Sequence, residues 1–264
     1  MRGEPSGRTP RGAAQVTDLP PSRTESDGSA VVRLLSYNIR SLRDDREALV
    51  RVIRACAPDI VCVQEAPRFF RWRKRAAWLA RRTGLTYVTG GATAAGPLIL
   101  ASLRAHVERT EDVLLPRTPG LHQRGFATAE LRFGPAARLG VVSFHLSLQA
   151  RERRQQARAL LERAAAFGSA PVVAAGDVNE RPDGPAFALL GEGLRDAWGL
   201  KPWGAEYTST PAEPVQRIDA VFAGEGVEVL GAGVPRGLSG VTEADLKSAT
   251  DHLPVLAALR IPGA

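Results

Sequence analysis

The chain has 264 residues, 44% of them hydrophobic and 24% charged, which is the make-up of a globular protein and excludes a disordered or fibrous chain. Its formal charge of +7 and pI of about 10.2 are compatible with a polyanionic partner, nucleic acid or anionic headgroups, and equally with a genome rich in Arg codons. No stretch approaches the roughly 20 apolar residues of a membrane span, so stable membrane insertion is not expected. The two cysteines, Cys56 and Cys62, lie in apolar surroundings without metal-ligand spacing and read as buried, reduced thiols.

Residues 1–30 are rich in Pro, Gly, Ser, Thr and Arg and are expected to form a disordered arm, followed by one domain over 31–264. The arm lacks the apolar segment of a secretory signal, which points to the cytoplasm. Val31 to Ile39 is β-branched and apolar and reads as a strand. Asp44 to Ala55 carries Leu49, Val52 and Ile53 at helical spacing, and Pro58 stops it. Asp59 to Gln64 is a continuous apolar run, hence a buried strand. Phe69 to Arg82 reads as a very basic helix without an acid, ended by Gly84. Leu85–Thr89, Pro97–Ser102, Ala105–Leu114, Gly125–Phe133 and Arg138–Phe144 read as strands. Gln149 to Phe167 is an amphipathic helix with Leu160, Leu161 and Ala164 on one side. Pro171–Ala175 is a buried strand, Pro185–Leu190 a short helix, and Arg217–Ala223, Val227–Gly231 and Leu253–Ile261 are late strands. Helices mixed with many consecutive strands imply α/β layering, two sheets with helices outside.

Several familiar signals fail. Gly91 to Gly96 has the glycine spacing of a phosphate loop, but Pro97 stands where its lysine is required. The turn around Ser239 lacks the glycines of a nucleophile elbow. Zinc-ligand spacings and a dinucleotide fingerprint are missing.

What remains is a set of polar groups at strand tips, where neighbouring strands converge on a site. Asn38 ends the first strand and Glu65 follows the second. His145 ends a later strand; Asp177 and Asn179 follow Gly176 and share one face if the chain stays extended. Asp219 interrupts an apolar strand, and Asp251 and His252 precede the last one. Phosphodiester hydrolysis needs a cation to neutralise a phosphate oxygen, a base for water and donors for the other oxygens. Asn38, Glu65 and Asp251 supply oxygens for Mg²⁺. His252 reads as the base, with Asp219 fixing its tautomer. His145 and Asn179 read as donors, Asp177 as a residue orienting water or leaving group, and Arg124 as a support for phosphate.

In this order the segments SYNIR, PDIVCVQEA, SFHLS, AAGDVNERPDGPAF, RIDAVF and TDHLPVLAAL resemble the endonuclease/exonuclease/phosphatase superfamily, from about Val31 to the C-terminus. The resemblance implies a four-layer α/β sandwich, two facing mixed β-sheets flanked by helices, with a Mg²⁺ or Mn²⁺ site at one edge. It implies metal-binding positions at Asn38, Glu65 and Asp251, active-site residues at Asp177 and Asn179, a carboxylate–histidine pair at Asp219 and His252, and a phosphate-facing histidine at His145. Phe144-His145-Leu146 departs from the Asn-rich motif of abasic-site endonucleases. The Gly- and Ala-rich stretch from Gly90 to Ser102 departs from the family's usual strand there, which leaves substrate open. The expected activity is an endonuclease-like phosphodiesterase on nucleic acid. The alternatives are an enzyme acting on lipid headgroups or small phosphorylated molecules, and a non-catalytic module, which the full set of polar positions argues against.

Overall fold

The computed structural model describes residues 18–263. Along the chain these form β1 (Arg23–Thr24), β2 (Ala30–Asn38), α1 (Arg46–Cys56), β3 (Ile60–Gln64), α2 (Trp72–Thr83), β4 (Thr86–Gly90), β5 (Leu98–Ala101), β6 (Ala105–Leu114), β7 (Gly125–Phe133) and β8 (Ala137–His145). There follow α3 (Ala150–Ala165), β9 (Val172–Asp177), α4 (Pro185–Leu190), β10 (Arg195–Asp196), α5 (Ala197–Leu200), β11 (Asp219–Ala223), β12 (Glu228–Gly233), α6 (Glu243–Ala249) and β13 (Val255–Ile261).

The strands make two sheets. One runs β12-β13-β2-β3-β5-β4, with β1 against the start of β2; the other runs β10-β11-β9-β8-β7-β6. Each has one parallel pair at its centre, β2 with β3 and β8 with β9, and antiparallel pairing elsewhere. Side chains alternate across each strand. Val32 and Leu34 of β2, Ile60 and Cys62 of β3, Leu139 and Val141 of β8, and Val173 and Ala175 of β9 fill the space between the sheets. The opposite faces carry helices: Leu35, Tyr37, Val61 and Val63 meet Leu49, Val52 and Leu79 of α1 and α2, while Val142, Phe144 and Phe222 meet Leu160 of α3 and Phe187 and Leu190 of α4. Helix, sheet, sheet and helix give the four layers expected.

Local chemistry accounts for the helix ends. Asp45 caps α1 by accepting from the Glu47 and Ala48 amides at 2.9 and 3.0 Å. Gly84 ends α2 at φ 76°. The start of α2 differs from the expected Phe69: Arg71 takes a left-handed conformation (φ 59°), and the helix begins only at Trp72. Helix α6 is not announced by hydrophobic periodicity, being seven residues long, although Thr242 caps it through the Asp245 amide at 3.1 Å.

The expected arm also needs correction. From residue 18 the chain is tied to the first sheet. Leu19 is buried, the Arg33 guanidinium donates to the carbonyls of Leu19 (2.5 Å) and Pro20 (3.1 Å), and β1 pairs Arg23 with Val31. A polar composition does not reveal carbonyls that one arginine can collect. The rest of the expected arm, residues 1–17, lies outside the described residues. Both cysteines are free and buried, and burial pushes both thiols up, Cys56 to about 12.

Candidate active site

The inward stripe of each central strand ends in a polar residue. In the second sheet the sequences 139-141-143-145, 173-175-177 and 219-221-223 share the inward face, so His145, Asp177 and Asp219 point between the sheets where the apolar core gives way. Register puts them on one rung: His145 is opposite Asp177 across the parallel pair, and Asp177 opposite Asp219 across the antiparallel one. In the first sheet Asn38 and Gln64 end β2 and β3 as partners, and Glu65 follows. The carboxyl ends of both parallel pairs therefore meet at one edge, and the antiparallel neighbours β11 and β13 begin there. That is why Asp219, Asp251 and His252 join from distant parts of the chain.

Hydrogen bonds close the group across the sheets. Asn38 Nδ2 donates to Asp177 Oδ2 at 3.2 Å and to Glu65 Oε1 at 3.4 Å. The Asn179 amide N–H donates to Asp177 Oδ1 at 2.8 Å. His252 Nδ1 lies 2.8 Å from Asp219 Oδ2, and its Nε2 lies 3.8 Å from Asp177 Oδ2, outside hydrogen-bond reach and free for another acceptor. Asn179 does not continue the strand. Its φ of 56° turns the amide so that Nδ2 donates to Leu146 O and meets His145 Nε2, both at 2.9 Å. Gly176 serves close approach, because a Cβ there would lie 2.0 Å from the Phe144 carbonyl oxygen.

The two site histidines diverge. Burial, with Arg124 and His252 nearby, holds His145 well below the usual imidazole range, so it is neutral. Since the Leu146 carbonyl fixes Asn179 Nδ2 as a donor, His145 Nε2 accepts, and the Asn179 amide donors are spent on His145 and Leu146. Burial also works against a charged His252, but Asp219, then Asp177 and Asp251, outweigh it and raise the group to about 10. Burial and the neighbouring Asp219 push Asp177 up to about 7, against the opposing pull of His252 and the amides of Asn179 and Asn38.

Glu65 has a φ of 53°, a conformation that costs a non-glycine residue about 1–3 kcal/mol. Ser41 holds it there, donating to the Glu65 carbonyl from its amide (2.8 Å) and hydroxyl (3.2 Å). Asp251 pairs with Arg40 Nε at 3.2 Å, its side chain 43% accessible, and Arg40 links it to Asn38 by donating its amide N–H to Asn38 Oδ1 at 3.1 Å. Arg124 makes no side-chain hydrogen bond among the described residues. It lines a cavity of about 510 Å³ together with Glu65, His145, Asp177, Asn179 and His252. A larger depression of about 1360 Å³ lies at the opposite ends of the same strands, around Val172, Gly226 and Pro262, and holds none of these residues.

The sequence model of the Endonuclease/Exonuclease/phosphatase family matches residues 35–252. The chain belongs to that family. Family members hydrolyse phosphoester bonds and generally use divalent metals. Solved structures share the fold. The endonuclease/exonuclease/phosphatase from Bacteroides vulgatus is 20% identical with a TM-score of 0.70, over 87% of this chain and 98% of that one. A Bacteroides thetaiotaomicron mannosyl-6-phosphatase is 18% identical with a TM-score of 0.71, over 86% and 99%. D. rerio TDP2, solved with a single-strand DNA product, is 20% identical with a TM-score of 0.66, over 87% and 98%. No curated protein matches the sequence.

The donor chemistry of this family member fits a hard divalent cation. Glu65 brings a carboxylate to the cavity, and beside it Asn38 carries an amide oxygen that accepts from the Arg40 amide at 3.1 Å and keeps a second lone pair; Mg²⁺ usually takes one or two carboxylates, leaving its other positions to water and phosphate oxygens. Ligand atoms of Asp177, Asp219 and His252 also lie within 4.8 Å of one another. There, however, an imidazolium hydrogen-bonded to Asp219 repels a cation, so Glu65 and Asn38 are the better pair. Other supporting residues carry no sequence signal of their own. Thr208, in an irregular loop, accepts from the Ile218 and Asp219 amides at 3.1 and 3.2 Å. Thr250 Oγ1 donates to the Asn38 carbonyl at 3.1 Å. Arg153 of α3 donates to Glu180 Oε1 (3.0 and 2.9 Å) and to the Ser147 and Leu148 carbonyls (both 2.9 Å), clamping the loops that leave His145 and Asn179.

Proposed function

We propose that the protein is a divalent-metal-dependent phosphodiesterase acting on nucleic acid. The observation that carries this is geometric: the Asp177 carboxylate and the His252 ring, whose Nδ1 lies 2.8 Å from Asp219 Oδ2, face one cavity with the Glu65 carboxylate and the unbonded guanidinium of Arg124, and burial and neighbouring charges push both Asp177 and His252 upward. Environments that push neighbouring titratable groups apart assign acid and base roles. Asp177 takes the proton of the attacking water, and the Asn179 amide N–H fixes its other oxygen. His252 serves as donor rather than base, giving a hydrogen bond from Nε2 to a phosphate oxygen as charge builds there. Asp219 keeps Nδ1 engaged, and Arg124 holds a further oxygen. Bound at Glu65 and Asn38, a divalent cation supplies charge neutralisation at the phosphate. His145 and Asn179 brace each other and hold Asp177 in place.

A polyanionic substrate is supported by the surroundings. Arg43, Arg68 and Arg75 line the cavity with Arg124, and of the basic side chains on α2 only Arg82 is ion-paired among the described residues, to Glu47. A second reading, a phosphatase of small phosphorylated molecules, is favoured by the cavity volume, which lies within the range of small-molecule sites, and by the likeness to the mannosyl-6-phosphatase.

The test is one panel with Mg²⁺ or Mn²⁺: single-stranded and duplex DNA, RNA, phosphoinositides, sphingomyelin, sugar phosphates and an aryl phosphodiester. Nucleic-acid hydrolysis that EDTA abolishes and added metal restores is the expected result. Turnover of sugar phosphates alone moves the reading to the phosphatase, and activity that persists in EDTA removes the metal from it.

A further inference from the structure

Between β3 and α2 the chain makes a turn that ends at the left-handed Arg71. Phe69 and Phe70 sit on that turn, 82% and 79% exposed, and belong to none of the hydrophobic clusters. Both line the reaction cavity with Glu65, Asp177 and His252. Each ring carries a guanidinium: the Arg68 Cζ is 5.8 Å from the Phe69 centroid and the Arg71 Cζ 4.9 Å from that of Phe70. Two adjacent exposed aromatic rings in the wall of this cavity make an apolar patch of the kind that marks an interaction site.

We propose that Phe69 and Phe70 are a stacking platform for unpaired nucleobases next to the scissile phosphate, so that the substrate is a single strand or a frayed strand end. The proposal rests on the nucleic-acid phosphodiesterase reading and narrows it. A nucleotide joins a flat π-face to a phosphate anion, and the wall offers rings beside cations. In a duplex both faces of a base are covered by its neighbours, so only an unstacked base can lie on a phenyl ring. A bilayer fits this surface less well. Membrane-surface helices present a continuous apolar face, whereas the apolar residues of α2, Ala76, Leu79 and Ala80, are buried in the core.

The experiment measures binding of the full chain, in EDTA so that nothing is cleaved, by fluorescence anisotropy. The probes are a fluorescein-labelled twelve-nucleotide oligothymidylate and the same backbone with abasic tetrahydrofuran residues. Phe69→Ala/Phe70→Ala is expected to weaken oligothymidylate binding about tenfold or more while leaving the abasic strand unchanged, and Phe69→Tyr/Phe70→Tyr to restore it. Equal affinity of the Ala variant and the wild type for oligothymidylate overturns the platform, as does an equal loss on both strands. Phe-dependent sedimentation with phosphatidylserine vesicles at unchanged strand affinity assigns the rings to a membrane instead, and also overturns it. The two readings fail separately. A protein that binds the strand through its phenylalanines yet cleaves no nucleic acid keeps the platform and loses the phosphodiesterase; one that cleaves strands without needing the rings does the reverse.

Discussion

Replacing Asp219 with Asn removes a charge and keeps the shape of the side chain. Its Oδ2 lies 2.8 Å from His252 Nδ1, and Asp219 is the largest of the three influences that raise His252 against the cost of burial. The rise from 6.5 to about 10 corresponds to about 5 kcal/mol in favour of the imidazolium, at about 1.4 kcal/mol per pH unit. Without Asp219 the burial cost stands, opposed only by Asp177 at 3.8 Å and by Asp251. His252 is then expected to titrate at least about two pH units lower. As a neutral ring it no longer gives a charge-assisted hydrogen bond to phosphate, and kcat is expected to fall about 10²- to 10³-fold, the scale of one lost transition-state donor. The chain has four histidines, so each ring proton can be followed by NMR across pH 5 to 10, alongside hydrolysis of an aryl phosphodiester. An Asp219→Asn protein with kcat within threefold of wild type and a His252 still charged at pH 9 would refute the donor assignment.

The pH profile of the wild type follows from the same groups. Asp177 must be ionised, so the rate is expected to rise through about pH 7, and His252 must stay protonated, so it is expected to fall through about pH 10; a flat profile between 6 and 11 counts against both roles. Arg153→Ala removes the cation from Glu180 Oε1 while Oε2 keeps the Ala186 and Phe187 amides, and is expected to cost about 1.5–3 kcal/mol in urea unfolding, the scale of hydrogen bonds to a charged group. Gly176→Ala drives a methyl group to 2.0 Å from a backbone oxygen next to Asp177, so calorimetry should show a loss of about 1–3 kcal/mol or more; an unchanged melting temperature would refute close approach as the reason for glycine there.

Much of the fold is legible because apolar runs report burial directly. The bounds of β6, β7 and α4 coincide with those expected from alternation and turn residues. The short elements β1, β10 and α5 do not stand out, since two to four residues carry no periodicity. The site positions are legible as polar interruptions at strand tips, but their electrostatic roles are not. His145 and His252 are the same residue type beside similar strands, and burial works against charge on both; only the three acids around His252, against the cations near His145, set opposite charges. Arg153 carries no signal in the sequence beyond its place on a charged helix; the carbonyls that it gathers come from loops whose path the sequence does not specify.

The rung that aligns His145, Asp177 and Asp219 has a consequence for how such a protein can change. Three side chains of the site are indexed by a backbone ladder, so a single-residue insertion within β8, β9 or β11 would rotate one of them out of the cleft and its neighbours into it. Insertions in the turn that carries Phe69 and Phe70 shift no strand register. On the proposed roles, chemistry and choice of substrate would come under separate mutational control, the first locked in steps of two residues and the second open to change by any number.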